Sequence, residues 1–189
     1  MITIVSGLPR TGTSLMMQML AAGGMTVLTD GLRQADIENP RGYYEWEPAK
    51  QLPQRPELIK EAEGKVVKVI SQLLFALPSG PEYRIVFMER PLEEVVASQA
   101  EMIRRKQTTA PALAPSAMIN ALQVHLNQVR AMLGSKSNVT LQFVKHSDVI
   151  SSPRDVCNAV RQFLGRDLDV EAMLAQVDVS LYRQRSGAA

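Results

Sequence analysis

The segment with the clearest capacity for chemistry lies near the amino end and reads Gly7-Leu8-Pro9-Arg10-Thr11-Gly12-Thr13-Ser14. It stands between a short apolar run, residues 2–6, and a helix-prone run. In such a turn successive backbone N–H groups and the positive end of the following helix bind phosphate-like anions. The sequence therefore predicts an anion-binding loop here, the alternative being a glycine turn that only connects strand to helix.

The loop differs at one position from the nucleotide P-loop, Gly-x4-Gly-Lys-Ser/Thr. Thr13 occupies the place of the lysine, which normally reaches the β- and γ-phosphates of a triphosphate. Arg10 is the only cation of the loop, and a guanidinium can bind two oxygens of a phosphate or sulfonate without a metal. This pattern disfavours a nucleoside or small-molecule kinase, and we expect no metal.

The run Pro9 to Ser14 resembles the 5′-phosphosulfate loop of the sulfotransferases that use 3′-phosphoadenosine 5′-phosphosulfate. It is closer to the Arg-bearing bacterial and tyrosylprotein branches than to the Lys-bearing cytosolic ones. Arg90, at the end of a predicted strand, and Ser98, eight positions later, resemble the 3′-phosphate site of that family. The resemblance implies donor-binding roles for Pro9, Arg10, Thr11, Gly12, Thr13, Ser14, Arg90, Ser98 and Arg185.

Two further stretches contribute to the resemblance. Residues 148–165 are similar to the C-terminal segment of the family, although His146 and Ser147 stand where Tyr and Glu are usual. The tail 182–187, which contains Arg185, is weakly similar to the clamp that the family places on the 3′-phosphate. The alternative interpretation of that tail is a frayed basic end.

Sulfuryl transfer needs a base for the acceptor proton and cations for the oxygens that gain charge. The resemblance places the base on the segment after the first helix, and we expect it to be Glu45, with Glu47 and His146 as alternatives. Tyr44 and Trp46 flank Glu45, and an apolar wall would raise the proton affinity of a carboxylate.

Lys68 and Arg10 are the expected catalytic cations. Lys68 interrupts an apolar strand, so its ammonium should reach an anion or a cleft, unless it lies at a strand edge in solvent. The resemblance implies that Lys68 stabilises charge on the bridging oxygen and that Arg10 binds the sulfonate. His125, which falls within a predicted helix, is interpreted as a surface or core imidazole.

Length and composition set the limits of these hypotheses. The chain has 189 residues, 46% of them hydrophobic, which indicates a single globular domain over residues 1–189. A net charge of +2 gives no case for binding a nucleic acid polymer, and the single cysteine excludes an intrachain disulfide and a cysteine-cluster zinc site. Without an apolar run of about 18 residues or a basic leader, we expect a cytoplasmic protein with no membrane span.

Strands and helices are predicted to alternate along the chain. This order indicates an α/β fold in three layers, α/β/α, with a central parallel sheet of about five strands, like a P-loop NTPase. The predicted strands are 2–6, 25–28, 66–70, 84–88 and 139–144, and the predicted helices are 15–22 (capped by Thr13 or Ser14), 91–106, 116–133, 153–164 and 170–177. Residues 29–64 are expected to be an irregular excursion, and 107–115 a loop that could act as a lid.

Three functions remain open at this stage. The first is a sulfotransferase acting on a hydroxyl or amine, the second a kinase on the same framework, and the third a protein that binds nucleotide without catalysis. The acceptor could be a carbohydrate, lipid, peptide or small metabolite, and the sequence leaves it and the oligomeric state undefined.

Overall fold

A five-stranded parallel sheet forms the centre of the protein. The computed structural model describes residues 1–36, 39, 41–105 and 114–178. The strand order is β2-β3-β1-β4-β5, which places the first strand in the middle. The strands are β1 (Ile2–Gly7), β2 (Val27–Leu28), β3 (Val66–Lys68), β4 (Tyr83–Glu89) and β5 (Val139–Lys145).

Six α-helices and three 3₁₀ helices lie in the described part of the chain and cover the two faces of the sheet. The α-helices are α1 (Thr13–Ala22), α2 (Leu92–Arg105), α3 (Pro115–Gly134), α4 (His146–Ser151), α5 (Pro153–Leu164) and α6 (Val170–Leu174). The 3₁₀ helices are Glu47–Gln51, Pro56–Ala62 and Ser71–Ala76. Among these described helices none is both long and apolar enough to cross a bilayer.

Each face of the sheet has its own apolar core, because side chains alternate along a strand. On β1, Ile2 and Ile4 pack into a core with α3 and the 3₁₀ helices, whereas Val5 packs into a core with α1, α4, α5 and α6. Six of the ten residues of the methionine-rich helix α1 are buried, among them its three methionines, and the other four are partly buried. The three-layer α/β/α architecture predicted from the sequence is thus confirmed, and it brings the carboxyl ends of β1, β3 and β4 to one edge.

Several predicted boundaries are wrong by a few residues. The second strand begins at Val27 rather than Met25, whose N–H instead bonds to Leu20 O in the turn that ends α1. The third strand ends at Lys68 rather than Ile70, because the chain turns there into a 3₁₀ helix. Pro91 precedes α2, and Val95 N–H bonds to its carbonyl.

The remaining strands and helices differ less from expectation. β4 and β5 are slightly longer than predicted, α3 extends by one residue at each end, and α6 ends at Leu174 instead of Val177. Helix α4 was not predicted from the residue pattern, and it starts directly at the end of β5. The predicted loop 107–115 lies almost entirely outside the described residues, as does the tail from 179 onward.

Candidate functional site

The loop between β1 and α1 has the backbone shape of an anion site. Gly7, Arg10 and Gly12 have φ of 148°, 75° and 94°, so the chain reverses direction over a few residues and enters α1 at Thr13. A non-glycine residue at φ 75° is uncommon, and it marks the centre of the turn. The first amides of α1, which have no carbonyl partner within the helix, thus lie where β1 ends, at the carboxyl edge of the sheet.

The predicted side-chain cap of α1 is wrong. The residue before the helix is Gly12 in the left-handed conformation, and neither Thr13 nor Ser14 caps the helix with its side chain. The loop imposes this arrangement, because the Gly12 carbonyl already accepts the first helical bond from Met16 N–H. The Ser14 hydroxyl is directed instead toward the carbonyl of Tyr43, at 3.5 Å, and is available to a ligand in the cleft.

Thr11 supports the loop from beneath. Its hydroxyl and its N–H both donate to the carbonyl of Leu8, at 2.7 and 3.3 Å, and the residue is only 2% exposed. A Cβ on Gly7 would lie 2.5 Å from the Thr11 hydroxyl oxygen, so the glycine is needed for this close approach. Thr11 therefore fixes the loop conformation, in addition to the donor-binding role that the sequence suggests for it.

A cleft of about 420 Å³ opens at the carboxyl edge of the sheet, directly over the loop. It collects most residues that the sequence singled out, together with the irregular segment after β2. The predicted residues among its walls are Pro9, Arg10, Gly12, Thr13, Ser14, Glu45, Glu47, Lys68, Arg90 and His146.

Lys68 enters the cleft from the end of β3 and its side chain is only 7% exposed. Its Nζ donates to the carbonyl of Tyr43 at 2.9 Å and to Ser14 Oγ at 3.2 Å, and lies 3.6 Å from Glu45 Oε1. Burial lowers the pKa of Lys68 to about 8, against a smaller raising effect of the Glu45 charge. The ammonium thus joins the loop to the segment that carries Glu45.

Glu45 lies between two cations. Arg33 Nη1 donates to its Oε1 at 2.7 Å, and Lys68 approaches the same oxygen. The carboxylate is partly exposed in the cleft, where an acceptor could reach it. The flanking side chains of Tyr44 and Trp46 pack into the apolar cores on opposite faces of the sheet, and Trp46 also lines the cleft.

The neighbouring Glu47 has a different setting. Its carboxylate pairs with Lys50 at 2.7 Å, one turn along the same 3₁₀ helix, and it is about half exposed. It lines the cleft, but the described structure places no ion pair between it and Lys68. The geometry favours Glu45 over Glu47 as the group nearest the loop.

Arg33 and Tyr43 were missed by the sequence analysis. The Arg33 guanidinium stacks over the Tyr43 ring, with Cζ 3.4 Å from the ring centre, and the Tyr43 hydroxyl donates to Asp36 at 2.7 Å. Both residues line the cleft and hold the Glu45 segment in place. They lie on an irregular segment without periodicity, so only the tertiary structure reveals that they meet.

Arg90 and Ser98 both contact Arg10 of the loop. Arg90 follows β4, and its Nη1 donates to the carbonyl of Arg10 at 3.1 Å. Ser98 lies on α2, and its Oγ accepts from Arg10 Nε at 2.9 Å. Arg90 also pairs with the buried Glu94 at 2.8 Å.

The two histidines have separate surroundings. His146, at the start of α4, packs against the loop, since a Cβ on Gly12 would lie 2.5 Å from its Cδ2. Burial and the nearby Arg90 lower the pKa of His146 to about 4, so the ring is neutral at pH 7. His125 is not among the residues lining the cleft and bonds through Nε2 to Ser71 Oγ at 2.9 Å.

Two expectations are not tested by this geometry. The first is the donor-binding role of Arg185, which belongs to the tail outside the described residues. The second is that the protein uses no metal; within residues 1–36, 39, 41–105 and 114–178, no group of three or more His, Cys, Asp or Glu side chains lies together in a way that could hold a metal ion.

Comparison with known proteins gives a likeness in fold. No family model and no curated protein matches the sequence. Among solved structures, the sulfotransferase domain from the curacin biosynthetic pathway is similar over 100% of this chain and 92% of its own length, with a TM-score of 0.55 and 13% identity.

Two more solved structures of sulfotransferases have a similar fold. A sulfotransferase from Mycobacterium tuberculosis is similar over 96% of this chain and 75% of its own length, with a TM-score of 0.60 and 16% identity. The sulfotransferase domain of the Synechococcus PCC 7002 olefin synthase is similar over 100% of this chain and 89% of its own length, with a TM-score of 0.57 and 15% identity. The chain therefore has a fold similar to that of bacterial sulfotransferase domains.

Proposed function

We propose that the chain is a sulfotransferase that moves the sulfonate group of 3′-phosphoadenosine 5′-phosphosulfate to a hydroxyl or amine acceptor. One observation carries the proposal. An anion loop without the P-loop lysine shares a cleft with a buried lysine, Lys68, and a carboxylate, Glu45, that lies 3.6 Å from it. The likeness in fold to sulfotransferase domains supports the same reaction.

Different residues of the cleft have different roles in an in-line transfer. The acceptor oxygen or nitrogen forms a bond to sulfur while the bond from sulfur to the bridging phosphate oxygen breaks. Glu45 takes the acceptor proton, and Lys68 stabilises the charge that develops on the bridging oxygen. The loop amides and Ser14 bind the phosphosulfate, and the proposed chemistry uses no metal.

Glu45 can act as a base through its second carboxylate oxygen. Its Oε1 is bound to Arg33 in the structure, while the carboxylate has a second oxygen to accept the proton. Lys68 next to it keeps the segment against Ser14, so the base and the transferring group remain on the same side of the loop. The substrates of the proposed reaction are a nucleotide donor and an acceptor, which is a carbohydrate, lipid, peptide or small metabolite.

A thermal-shift comparison tests donor recognition. A ligand that binds only the native state raises the melting temperature, so 3′-phosphoadenosine 5′-phosphate should raise it clearly, and AMP and ATP with magnesium less. A larger shift with ATP and magnesium would favour a kinase and contradict the proposal.

Transfer itself is tested with a sulfur-labelled donor and a panel of hydroxyl and amine acceptors from each of these classes. We expect label on at least one acceptor, lost in Glu45→Gln, with nucleotide binding kept. Label transfer that is undiminished in Glu45→Gln would show that another group is the base. Tight binding of the donor with no transfer to any acceptor would identify a nucleotide-binding protein without catalysis.

A further inference from the structure

The part of the cleft wall that follows Lys68 in the chain is apolar. Ile70 and Leu73 come directly after β3, and both line the cleft. The Leu73 N–H donates to the Ile70 carbonyl at 2.9 Å, and in a turn of this 3₁₀ type the side chains of residues three apart lie on the same side. The two side chains therefore form one apolar surface, which begins two residues after the ammonium that the proposed reaction uses.

Helix α2 adds a third apolar side chain to the cleft. Met102 lies one turn beyond Ser98 and is partly buried. Its flexible thioether adapts to hydrocarbon groups of different shape. Ile70 is 36% exposed although it is a large apolar residue. The described residues thus leave apolar surface open to the cleft.

Several polar side chains of the cleft, in contrast, bond to other groups of the protein. The pairs are Gln18 with Asn39 and with the Gly42 carbonyl, Lys50 with Glu47, and Asp178 with Arg41. A carbohydrate presents many hydroxyl groups, and it would have to break such pairs to obtain hydrogen bonds of its own. The cleft therefore favours an acceptor that needs few hydrogen bonds and can cover apolar surface.

We infer that the acceptor is an apolar alcohol, whose hydroxyl stands on an alkyl chain or aromatic ring that packs against Ile70, Leu73 and Met102. The inference rests on the proposed function and narrows its acceptor to this class. In the transfer step the hydroxyl oxygen bonds to sulfur and its proton passes to Glu45. The bond from sulfur to the bridging oxygen breaks, which releases 3′-phosphoadenosine 5′-phosphate. The hydrocarbon displaces water from beside Lys68, where charges then interact more strongly.

Trp46 provides a readout that does not depend on transfer. It is the only tryptophan of the chain, it follows Glu45 directly, and it lines the cleft. Its fluorescence should change when an alcohol occupies the cleft, both in the free protein and in the complex with 3′-phosphoadenosine 5′-phosphate. Titrations with the primary alcohols butanol, hexanol and octanol then give their dissociation constants. Each added methylene group should tighten binding by about three- to fourfold, since the burial of each contributes a similar free energy.

Transfer is measured with the sulfur-labelled donor and acceptors at equal concentration. Octanol represents the alkyl source of the apolar group and naphthol the aromatic source, whereas glycerol and glucose are the polar comparison. Label should pass to octanol or naphthol at least about tenfold faster than to either polyol. The faster of the two apolar acceptors identifies the source.

Ile70→Thr and Met102→Gln test the wall, because both variants keep the approximate size of the side chain and make it polar. Each should weaken the binding of octanol by about three- to tenfold and leave transfer to glycerol unchanged. Phe75→Thr and Ile103→Thr are the matched controls, since these exposed apolar residues lie on the same two segments and are not among the described residues that line the cleft. Both controls should behave like the wild type, and melting temperatures show whether each variant is folded.

Three results would overturn the inference: equal dissociation constants for the three primary alcohols, faster transfer to a polyol than to octanol and naphthol, or a loss in the controls as large as in folded Ile70→Thr. Failure of the proposed function is recognised differently. In that case no acceptor receives label and 3′-phosphoadenosine 5′-phosphate does not raise the melting temperature, even if alcohols change the fluorescence of Trp46. If only the inference fails, the nucleotide still binds and label passes to glycerol or glucose instead.

Discussion

At the scale of single residues, the site depends on how a few charges are buried. Lys68 is almost fully removed from solvent, yet it contacts the hydroxyl of Ser14 on α1 and, on the irregular segment after β2, the carbonyl of Tyr43 and the carboxylate of Glu45. Burying an ammonium is costly unless such partners are present. A lysine within an apolar run of the sequence was therefore a valid signal for a cleft, whereas nothing in the sequence pointed to its partner Tyr43.

The coupling of Lys68 to Glu45 leads to a prediction about titration. In an NMR titration of the reductively methylated chain, one lysine should titrate near pH 8, since burial lowers the pKa of Lys68 to about 8. Glu45→Gln should lower this pKa further, because the carboxylate charge favours the ammonium. Lys68→Arg assigns the signal by removing it. A signal unmoved in Glu45→Gln would mean that the two groups are uncoupled in solution.

At the scale of elements, the glycines at the junction of β1 and α1 restrict which substitutions the loop tolerates. Gly12→Ala would add a Cβ 2.5 Å from His146 Cδ2 at a residue with φ 94°. Gly24→Ala is a close control, since Gly24 has φ 101° but no heavy atom within 4 Å of the added Cβ. It carries the backbone cost of about 1–2 kcal/mol without the clash.

We expect Gly12→Ala to lower the free energy of unfolding by more than Gly24→Ala does, in urea titrations of both variants. The added methyl group must displace His146 or the loop, so nucleotide affinity should also fall only in Gly12→Ala. Equal losses of stability in the two variants would show that the His146 ring moves aside freely.

The elements themselves show what a sequence can and cannot reveal. The loop and its flanking strand and helix were predictable because Gly7 and Gly12 interrupt two apolar runs at a spacing with a known use. The helix α4 was not predictable, since His146 to Ser151 has no apolar periodicity and its start is set by the end of β5. The caps assigned to Thr13 and Ser14 failed because the loop, rather than a side chain, starts α1.

The candidate site was predictable to a similar extent. Glu45, Lys68, Arg90 and the loop residues meet in one cleft because the ends of neighbouring parallel strands lie at one edge. The contact between Arg33 and Glu45 depends on the path of an irregular segment, and the bond between Arg10 and Ser98 on the direction of α2. Neither contact could be predicted from the spacing of residues in the sequence.

At the scale of the whole molecule, His146 makes stability depend on pH. Its pKa is about 4 in the folded chain, below the ordinary 6.5, so between these values the unfolded chain binds a proton that the folded chain does not. Stability from this group is therefore present above pH 6.5 and is lost as the pH falls toward 4. At pH 5 the loss is about 2 kcal/mol.

Urea titrations at pH 7 and pH 5 measure this effect. His146→Gln should reduce the difference between the two pH values by that amount, while His125→Gln should leave most of it, because His146 is still present. The same difference in His146→Gln as in the wild type would assign the acid sensitivity to carboxylates instead.

The central place of β1 has a consequence for biosynthesis. Both of its neighbours, β3 and β4, follow it in the chain and bond to it on either side. During synthesis the buried strand β1 therefore has at most one partner until β4, which ends at Glu89, has followed. A nascent chain that stops before β4 exposes one edge of β1, so such products should depend on chaperones.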